Sequence, residues 1–219
     1  MTGGSHISYK LNKKRISHII DLGAVRRGVL GMDKKTMHEL IQQKQIEDPI
    51  KQEFEQTLSD RAARYLQVKP HGITPYEHFS VASAECSLLF RDGHFYGCIA
   101  LTQAVTEALA RFLCQRNSWK PANKFEKNVE RLSARNVISG KVKKSLLRIW
   151  VKRDDYHHLN PNIEGDRQAL EELAREKVRF LAEVESEVFR FTVADGKIIP
   201  EQPKYWKESG NQVFLRLGP

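Results

Sequence analysis

The sequence lacks the long apolar runs that carry a chain into a membrane. No stretch approaches the ~18 consecutive apolar residues of a membrane-spanning helix. Residues 1–6 also lack the basic and then apolar pattern of a secretory signal peptide. These absences argue against an integral membrane protein, and they predict a cytoplasmic protein that does not bind membranes.

Cysteine is scarce as well. The three cysteines, Cys86, Cys98 and Cys114, are odd in number and fall within apolar stretches of helical spacing. Such a set argues against a disulfide framework, and it lacks the paired spacing of a zinc site. We therefore expect three buried free thiols, and we expect neither a metal nor a cofactor.

Acidic residues are rare in one segment, although the whole chain has a net charge of only +9. Residues 111–153 carry thirteen Lys and Arg against two acids, a net charge of +11, whereas residues 154–187 carry four against ten, a net charge of −6. A basic segment of this density favours a polyanionic partner, with nucleic acid preferred to an anionic membrane. A solvated basic helix face is the alternative that charge alone leaves open.

Apolar residues recur at helical spacing throughout the centre of the chain. The pattern predicts helices at about residues 77–91, 95–116, 125–139, 142–153 and 166–189. The first two form a hairpin across Asp92 and Gly93, and the fourth places Arg153 at its end. The predicted fold class is all-α, with an antiparallel helical bundle over residues 75–192.

The regions on either side of the bundle are harder to assign. Residues 1–74 are predicted as a helical region of unknown function: a basic segment at residues 12–27 that forms a short helix or a strand, a helix capped by Asp33, and a second helix that restarts at Asp48 and Pro49. Residues 69–75 form the predicted linker to the bundle. Residues 193–219 are a predicted tail, with a β-hairpin turning at Asp195 and Gly196 and a third strand at residues 213–217. Tyr205 and Trp206 in this tail are expected to pack against the bundle.

The candidate catalytic residues lie between the fourth and fifth helices. Arg153, Asp154 and His158 combine a permanent cation suited to phosphate oxygens, an acid, and a side chain that titrates near neutral pH. If the helix continues to His157, that histidine faces Arg153 at i,i+4 and His158 lies ~100° further round. An exposed basic helix end is the structural alternative, because Asn160 and Pro161 mark a helix stop.

The order of these parts resembles the HEPN superfamily, found in prokaryotic toxins, phage-defence proteins and RNA-processing enzymes. Residues 76–190 carry the resemblance, through residues 84–93 and 95–107 of the opening hairpin and residues 153–158 of the motif. The resemblance implies an all-α bundle that cleaves RNA without a metal, as a homodimer in which two motif copies face each other. Family toxins silenced by a nucleotidyltransferase have a Tyr two residues after the His, but this chain has Asn160 there.

The resemblance also implies roles for single residues. His158 is the general base or acid, with His157 in its place if the helix continues; Arg153 stabilises charge on phosphorus, Asp154 orients one of them, and Glu107 gives polar support. The products would be a 2′,3′-cyclic phosphate and a 5′-hydroxyl. The candidate RNA-binding residues are Lys141, Lys143, Lys144, Arg148, Lys152 and Tyr156. An antitoxin or other regulatory protein is a further expected partner, and a non-catalytic HEPN module that binds RNA or a protein is the alternative function.

The expected homodimer follows from the number of proton carriers. Cleavage profits from a base at the 2′-oxygen and an acid at the 5′-oxygen, and adjacent histidines on a helix diverge by ~100°. A two-fold axis beside the fourth helix would supply the second histidine. Trp150 and neighbouring leucines are the expected apolar contacts of this interface.

Overall fold

The computed structural model describes residues 34–68, 70–161, 163–206 and 213–216. Predictions for the basic segment at residues 12–27 and for Asp33 as a helix cap concern residues outside these ranges. The chain divides into two compact units, Met1–Gln56 and Thr57–Pro219. This division falls inside a helix, whereas the predicted boundary was at residues 74–75.

The first described helix, α1, spans Lys34–Gln67 and has Pro49 inside it. The prediction of two helices that break at Asp48 and Pro49 was therefore wrong. Proline removes one backbone hydrogen bond, but good helix formers on both sides let the helix continue. An ion pair of 3.1 Å between Lys44 Nζ and Asp48 Oδ1 also bridges the turn before Pro49.

The second unit begins its bundle with a tight helical hairpin. Helix α2 spans Ser80–Asp92 and α3 spans Phe95–Arg116. Between them Gly93 adopts φ 80°, and its N–H donates to the carbonyl oxygen of Phe90 over 3.1 Å. This left-handed conformation favours glycine, which ends α2 and lets the chain reverse within two residues.

Four α-helices follow: α4 spans Phe125–Ala134, α5 spans Gly140–Trp150, α6 spans Arg153–His157, and α7 spans Arg167–Val188. The predicted fourth helix is thus two helices, because the chain breaks after Trp150. Side chains cap two of these helices: Ser139 Oγ accepts from the N–H of Val142 over 3.1 Å, and Asp166 Oδ1 accepts from that of Ala169 over 2.8 Å.

Helix α3 lies at the centre of the bundle and packs against α2, α4, α5, α6 and α7. Among the described residues it alone is long and apolar enough to cross a membrane, but 61% of its apolar window is buried inside the protein. That burial is typical of the core helix of a soluble protein. The three cysteines are free and buried, as predicted.

Two small antiparallel sheets accompany the helices. In the first, β1, Ile73–Pro75, pairs with β4, Val213–Leu215, so part of the predicted linker is a strand and the predicted third strand does not join the hairpin. In the second, β2, Phe191–Ala194, pairs with β3, Lys197–Pro200, across the predicted turn. The predicted packing of Tyr205 and Trp206 is confirmed, because both are buried. The protein is mostly helical with a small β appendage.

Candidate active site

The candidate site is built on a sharp turn between α5 and α6. Helix α5 ends at Trp150, Val151 is extended, and Lys152 adopts the left-handed conformation with φ 59°. A non-glycine residue with positive φ is uncommon and requires support from its surroundings. Arg153 is therefore the first residue of a new short helix and not the last residue of α5.

Two buried side chains hold this turn. Lys177 Nζ on α7 donates to the carbonyl oxygens of Ile149, over 2.6 Å, and of Val151, over 2.9 Å. Gln103 Nε2 on α3 donates to the same two oxygens over 3.1 and 3.2 Å. The last carbonyls of a helix have no partner within it, so these four bonds satisfy them and fix the direction in which the chain leaves α5.

The ammonium group of Lys177 is buried, which disfavours its charged form. Lys177 is only 1% exposed, and burial lowers the pKa of its ammonium group to about 8. A buried cation is unfavourable unless it is well paired, and here it faces the negative end of the α5 dipole. Sequence analysis missed both Lys177 and Gln103. The available signal was a lysine inside the apolar stripe of α7, between Leu170 and Leu181.

The guanidinium of Arg153 is held from two sides. Its Nη1 donates to Asp154 Oδ1 over 2.9 Å, and its carbon lies 5.5 Å from the ring centre of Trp150. Trp150 is itself stacked on Phe125, with ring centres 4.2 Å apart. Arg153 Nε is buried, and no described residue forms a hydrogen bond with it. Trp150 thus supports Arg153 and packs against the bundle while staying partly exposed, and its contact with a second copy stays a prediction.

The two adjacent histidines differ in their surroundings. Helix α6 ends at His157, so His157 lies one turn from Arg153, while His158 is the exposed C-cap. Burial, then the charge of Arg153, then His158 lower the pKa of His157, against the opposing effects of Glu107 and of a backbone hydrogen bond with Ala100. Its Nε2 is buried and has no hydrogen-bond partner in the part of the chain that the structure describes. The structure thus brings His157 beside Arg153 and leaves His158 in solvent.

Glu107 lies on α3, one side of this cluster. Its Oε1 accepts from Nη2 of Arg111 over 2.9 Å. Its charge also acts on His157, whose pKa it raises. The carboxylate of Glu107 favours the protonated, positively charged form of the His157 ring. This is the electrostatic effect expected of a residue that gives polar support.

Tyr156 does not have the position expected of a base-stacking residue. It is 3% exposed, so its ring faces are covered and the prediction that it contacts RNA bases is corrected. The neighbouring exposed ring is Tyr96 on α3, 41% exposed, with its ring centre 6.1 Å from that of Tyr156. Tyr96 Oη donates to the carbonyl oxygen of Glu164 over 2.8 Å.

Three of the candidate RNA-binding cations have acidic partners. Lys141 faces Glu183 at 3.8 Å, Lys143 faces Glu130 at 2.8 Å, and Arg148 pairs with Glu176. Lys144 and Lys152 are exposed, and no acidic partner is found for either among residues 34–68, 70–161, 163–206 and 213–216. These two have the most freedom to contact a polyanion.

No family model, no curated protein and no solved structure matches this chain. The site is therefore interpreted from its own residues. Within the part of the chain that the structure describes, no three His, Cys, Asp or Glu side chains gather as potential ligands of a metal ion. What the site does offer is a fixed guanidinium, a histidine of lowered pKa, and a carboxylate beside it.

Proposed function

We propose that the protein is an endoribonuclease of HEPN type that cleaves RNA without a metal. The observation that carries this proposal is that Arg153 and His157 lie one turn apart on α6, and that one buried nitrogen of each side chain lacks a hydrogen-bond partner among the described residues. Buried polar atoms without partners are rare in native proteins and are often found at functional sites. A phosphodiester bound here would supply acceptors to the guanidinium, and the ribose 2′-OH beside it would supply a donor to the imidazole.

In this mechanism His157 is the general base. The lowered pKa of His157 keeps its ring neutral at pH 7, so that it can take the proton of the ribose 2′-OH. The 2′-oxygen attacks phosphorus, the bond from phosphorus to the 5′-oxygen breaks, and Arg153 stabilises the charge that develops on the phosphoryl oxygens. The products are a 2′,3′-cyclic phosphate and a 5′-hydroxyl once an acid protonates the 5′-oxygen.

The acid is proposed to come from a second copy of the chain. Two-fold symmetry places identical surfaces opposite each other, so a second copy of α6 would complete the site with its own histidine. A toxin or phage-defence role, and control by an antitoxin or other regulatory protein, are part of the same proposal and rest on the HEPN resemblance alone.

Cleavage of RNA in excess EDTA tests this function. Arg153→Ala and His157→Ala should each lower the rate by ~10²-fold or more, because each removes a group that acts in the transition state. The matched control is Arg190→Ala, which removes an exposed arginine paired with Glu201 on the appendage. Circular dichroism should show that all variants remain folded.

Two results would count against the assignment in different ways. Activity that requires a divalent metal would contradict the proposed function. A rate lost in His158→Ala but retained in His157→Ala would keep the function and move the general base by one residue.

The second candidate function is a non-catalytic module that binds RNA or a protein. It is favoured by a shallow cavity of about 310 Å³ on the outer face of α5, where Leu147 and Val151 lie among Lys143, Lys144 and Arg148. An apolar floor with a basic rim suits binding without chemistry. Tight RNA binding with no cleavage by the wild-type protein would favour this function.

A further inference from the structure

Four arginines surround the turn between α2 and α3, at the end of the bundle where α7 begins. They are Arg61, Arg64, Arg91 and Arg167. One carboxylate, Asp92, serves two of them: its Oδ1 accepts from Arg61 Nη2 over 2.8 Å and from Arg91 Nε over 2.7 Å. Hydrogen bonds and charge from Arg91, and then from Arg61, lower the pKa of Asp92.

The other two arginines converge on Gly93. A methyl group placed on Gly93 would lie 3.0 Å from Nη2 of Arg167 and 3.6 Å from Nη2 of Arg64. Both guanidinium carbons also lie over the ring of Phe95, at 5.0 Å for Arg167 and 6.0 Å for Arg64. The two cations are therefore close neighbours above a residue that has no side chain.

These two cations lack a counter-charge within the described part of the chain. Arg64 Nε donates to the carbonyl oxygen of Arg91 over 2.8 Å, but no carboxylate pairs with Arg64 or with Arg167. Two like charges held together repel each other, and a bound anion would relieve that repulsion. Forked guanidinium donors match the oxygens of a phosphate group, and the absence of a side chain at Gly93 lets both guanidinium groups approach the same point.

We propose that Arg64 and Arg167 form a second phosphate site, which binds the backbone of the RNA strand that is cleaved at Arg153. This inference rests on the proposed function and adds a contact that fixes the path of the substrate. The backbone of Ala100 lies beside His157. Gly93 comes seven residues before Ala100, which corresponds to ~10 Å along a helix axis and sets the spacing between the two proposed phosphate contacts. The loop that follows His158 leads directly to Arg167, and Tyr96 is bonded to it through the carbonyl of Glu164.

The test is RNA binding across a salt series, in the His157→Ala background so that RNA stays intact. Arg64→Gln with Arg167→Gln should weaken binding and flatten the slope of log affinity against log salt by about 0.7, the value for one single-strand phosphate. The matched control is Arg179→Gln with Arg190→Gln, which removes two exposed arginines elsewhere and should leave the slope unchanged. Arg64→Lys with Arg167→Lys should keep the slope but lose affinity, since lysine keeps charge without the fork.

Unfolding temperatures measured with added inorganic phosphate separate this inference from the proposed function. If Arg64→Gln with Arg167→Gln leaves the salt slope unchanged, the second phosphate site is ruled out. RNA cleavage by the wild type would then still support the proposed function. A wild type that neither binds nor cleaves RNA overturns both the function and the RNA contact. In that case, phosphate could still raise the unfolding temperature of the wild type but not that of Arg64→Gln with Arg167→Gln, at equal ionic strength. This result would support an anion site that does not bind RNA.

Discussion

His157 and His158 are neighbours in the sequence, yet their surroundings differ. The difference arises because α6 ends at His157, which turns that ring towards α3 and leaves His158 exposed. The charge of Arg153 disfavours a second positive charge on His157, and burial acts in the same direction. Arg153 thus serves the proposed base before any substrate binds.

The first prediction at the residue scale concerns the titration of His157. The pKa of His157 should lie below its ordinary value of 6.5, it should rise in Arg153→Gln, and it should fall further in Glu107→Gln. The signs follow because the guanidinium disfavours the charged ring and the carboxylate favours it. Ring-proton NMR from pH 4 to 8 measures the shift, and His157→Gln identifies the resonance. A midpoint at or above 6.5, or one unmoved by Arg153→Gln, would refute this electrostatic account.

Sequence identified the residues of α6 but not their partners. Local spacing predicted Arg153, Asp154 and His158, with His157 in place of His158 if the helix continued. The end of α6 at His157 decides which histidine lies one turn from Arg153. The burial of Tyr156 and the support of Arg153 by Trp150 and Phe125 depend on contacts between different helices. Side-chain periodicity gives the face of one helix, and it does not tell which residue of another helix meets it.

At the scale of elements, the turn at Val151 and Lys152 is the feature that sets the site. The local sequence does not predict this turn, because it has no glycine or proline at residues 151–152 and the apolar spacing continues to Trp150. The turn is made by distant groups, Lys177 and Gln103, whose donors satisfy the carbonyls at the end of α5. Tertiary contacts have here overridden the local pattern.

Lys177 gives a prediction for stability against pH. Its pKa is about 8 in the folded protein and near 10.5 when unfolded, so between these values the unfolded chain keeps a proton that the folded chain has released. Its contribution to the free energy of unfolding should therefore rise with pH in that window, by up to ~1.4 kcal/mol per pH unit.

Urea unfolding of the wild type and of Lys177→Met, from pH 6 to 10, measures this contribution. The difference between the two proteins should be flat below pH 7 and should grow above pH 8. Gln103→Leu is the control, since it loses bonds to the same carbonyls but removes no titratable group. A difference that is constant with pH would show that the Lys177 ammonium is not strained by burial.

The helices that sequence predicted best are those whose signals are local. Helices α3 and α7 combine strong apolar periodicity with clear ends, and both lie within about one residue of their predicted bounds. The pairing of β1 with β4 joins residues far apart in the chain, so no local pattern could reveal it. The predicted break at Pro49 was wrong, because the ~3 kcal/mol that a proline costs a helix can be offset by the neighbouring turns.

At the scale of the molecule, the basic segment is less positive than its sequence suggests. Three of its six candidate contacts face acids on α4 or α7, and one more, Tyr156, is buried. Two of these acids, Glu176 and Glu183, come from the acidic segment that follows, and the third, Glu130, lies within the basic segment itself. The other two cations, Lys144 and Lys152, have no acidic partner among the described residues; Lys144 lies beside the apolar strip of Leu147 and Val151, and Lys152 follows Val151 in the chain.

This strip gives the prediction for dimerisation. Val151 is 56% exposed beside the site, so we expect it to join the partly exposed Trp150 as an apolar contact between two copies. The wild type should sediment as a dimer at micromolar concentration, more tightly in high salt because the basic rims repel. Val151→Glu should yield a monomer and lose cleavage, while Val193→Glu on the exposed hairpin should change neither. A monomer that cleaves RNA at full rate would rule out a site shared between two copies.

The most direct measurement of the central claim is the chemistry of the ends left on RNA after cleavage by the wild-type protein in excess EDTA. Attack by the 2′-oxygen predicts a 2′,3′-cyclic phosphate on one fragment and a 5′-hydroxyl on the other. It also predicts that a single 2′-deoxy nucleotide at the cleaved position blocks the reaction there. Fragments that end in a 3′-hydroxyl and a 5′-phosphate, or cleavage that persists at the deoxy position, would contradict the mechanism assigned to Arg153 and His157.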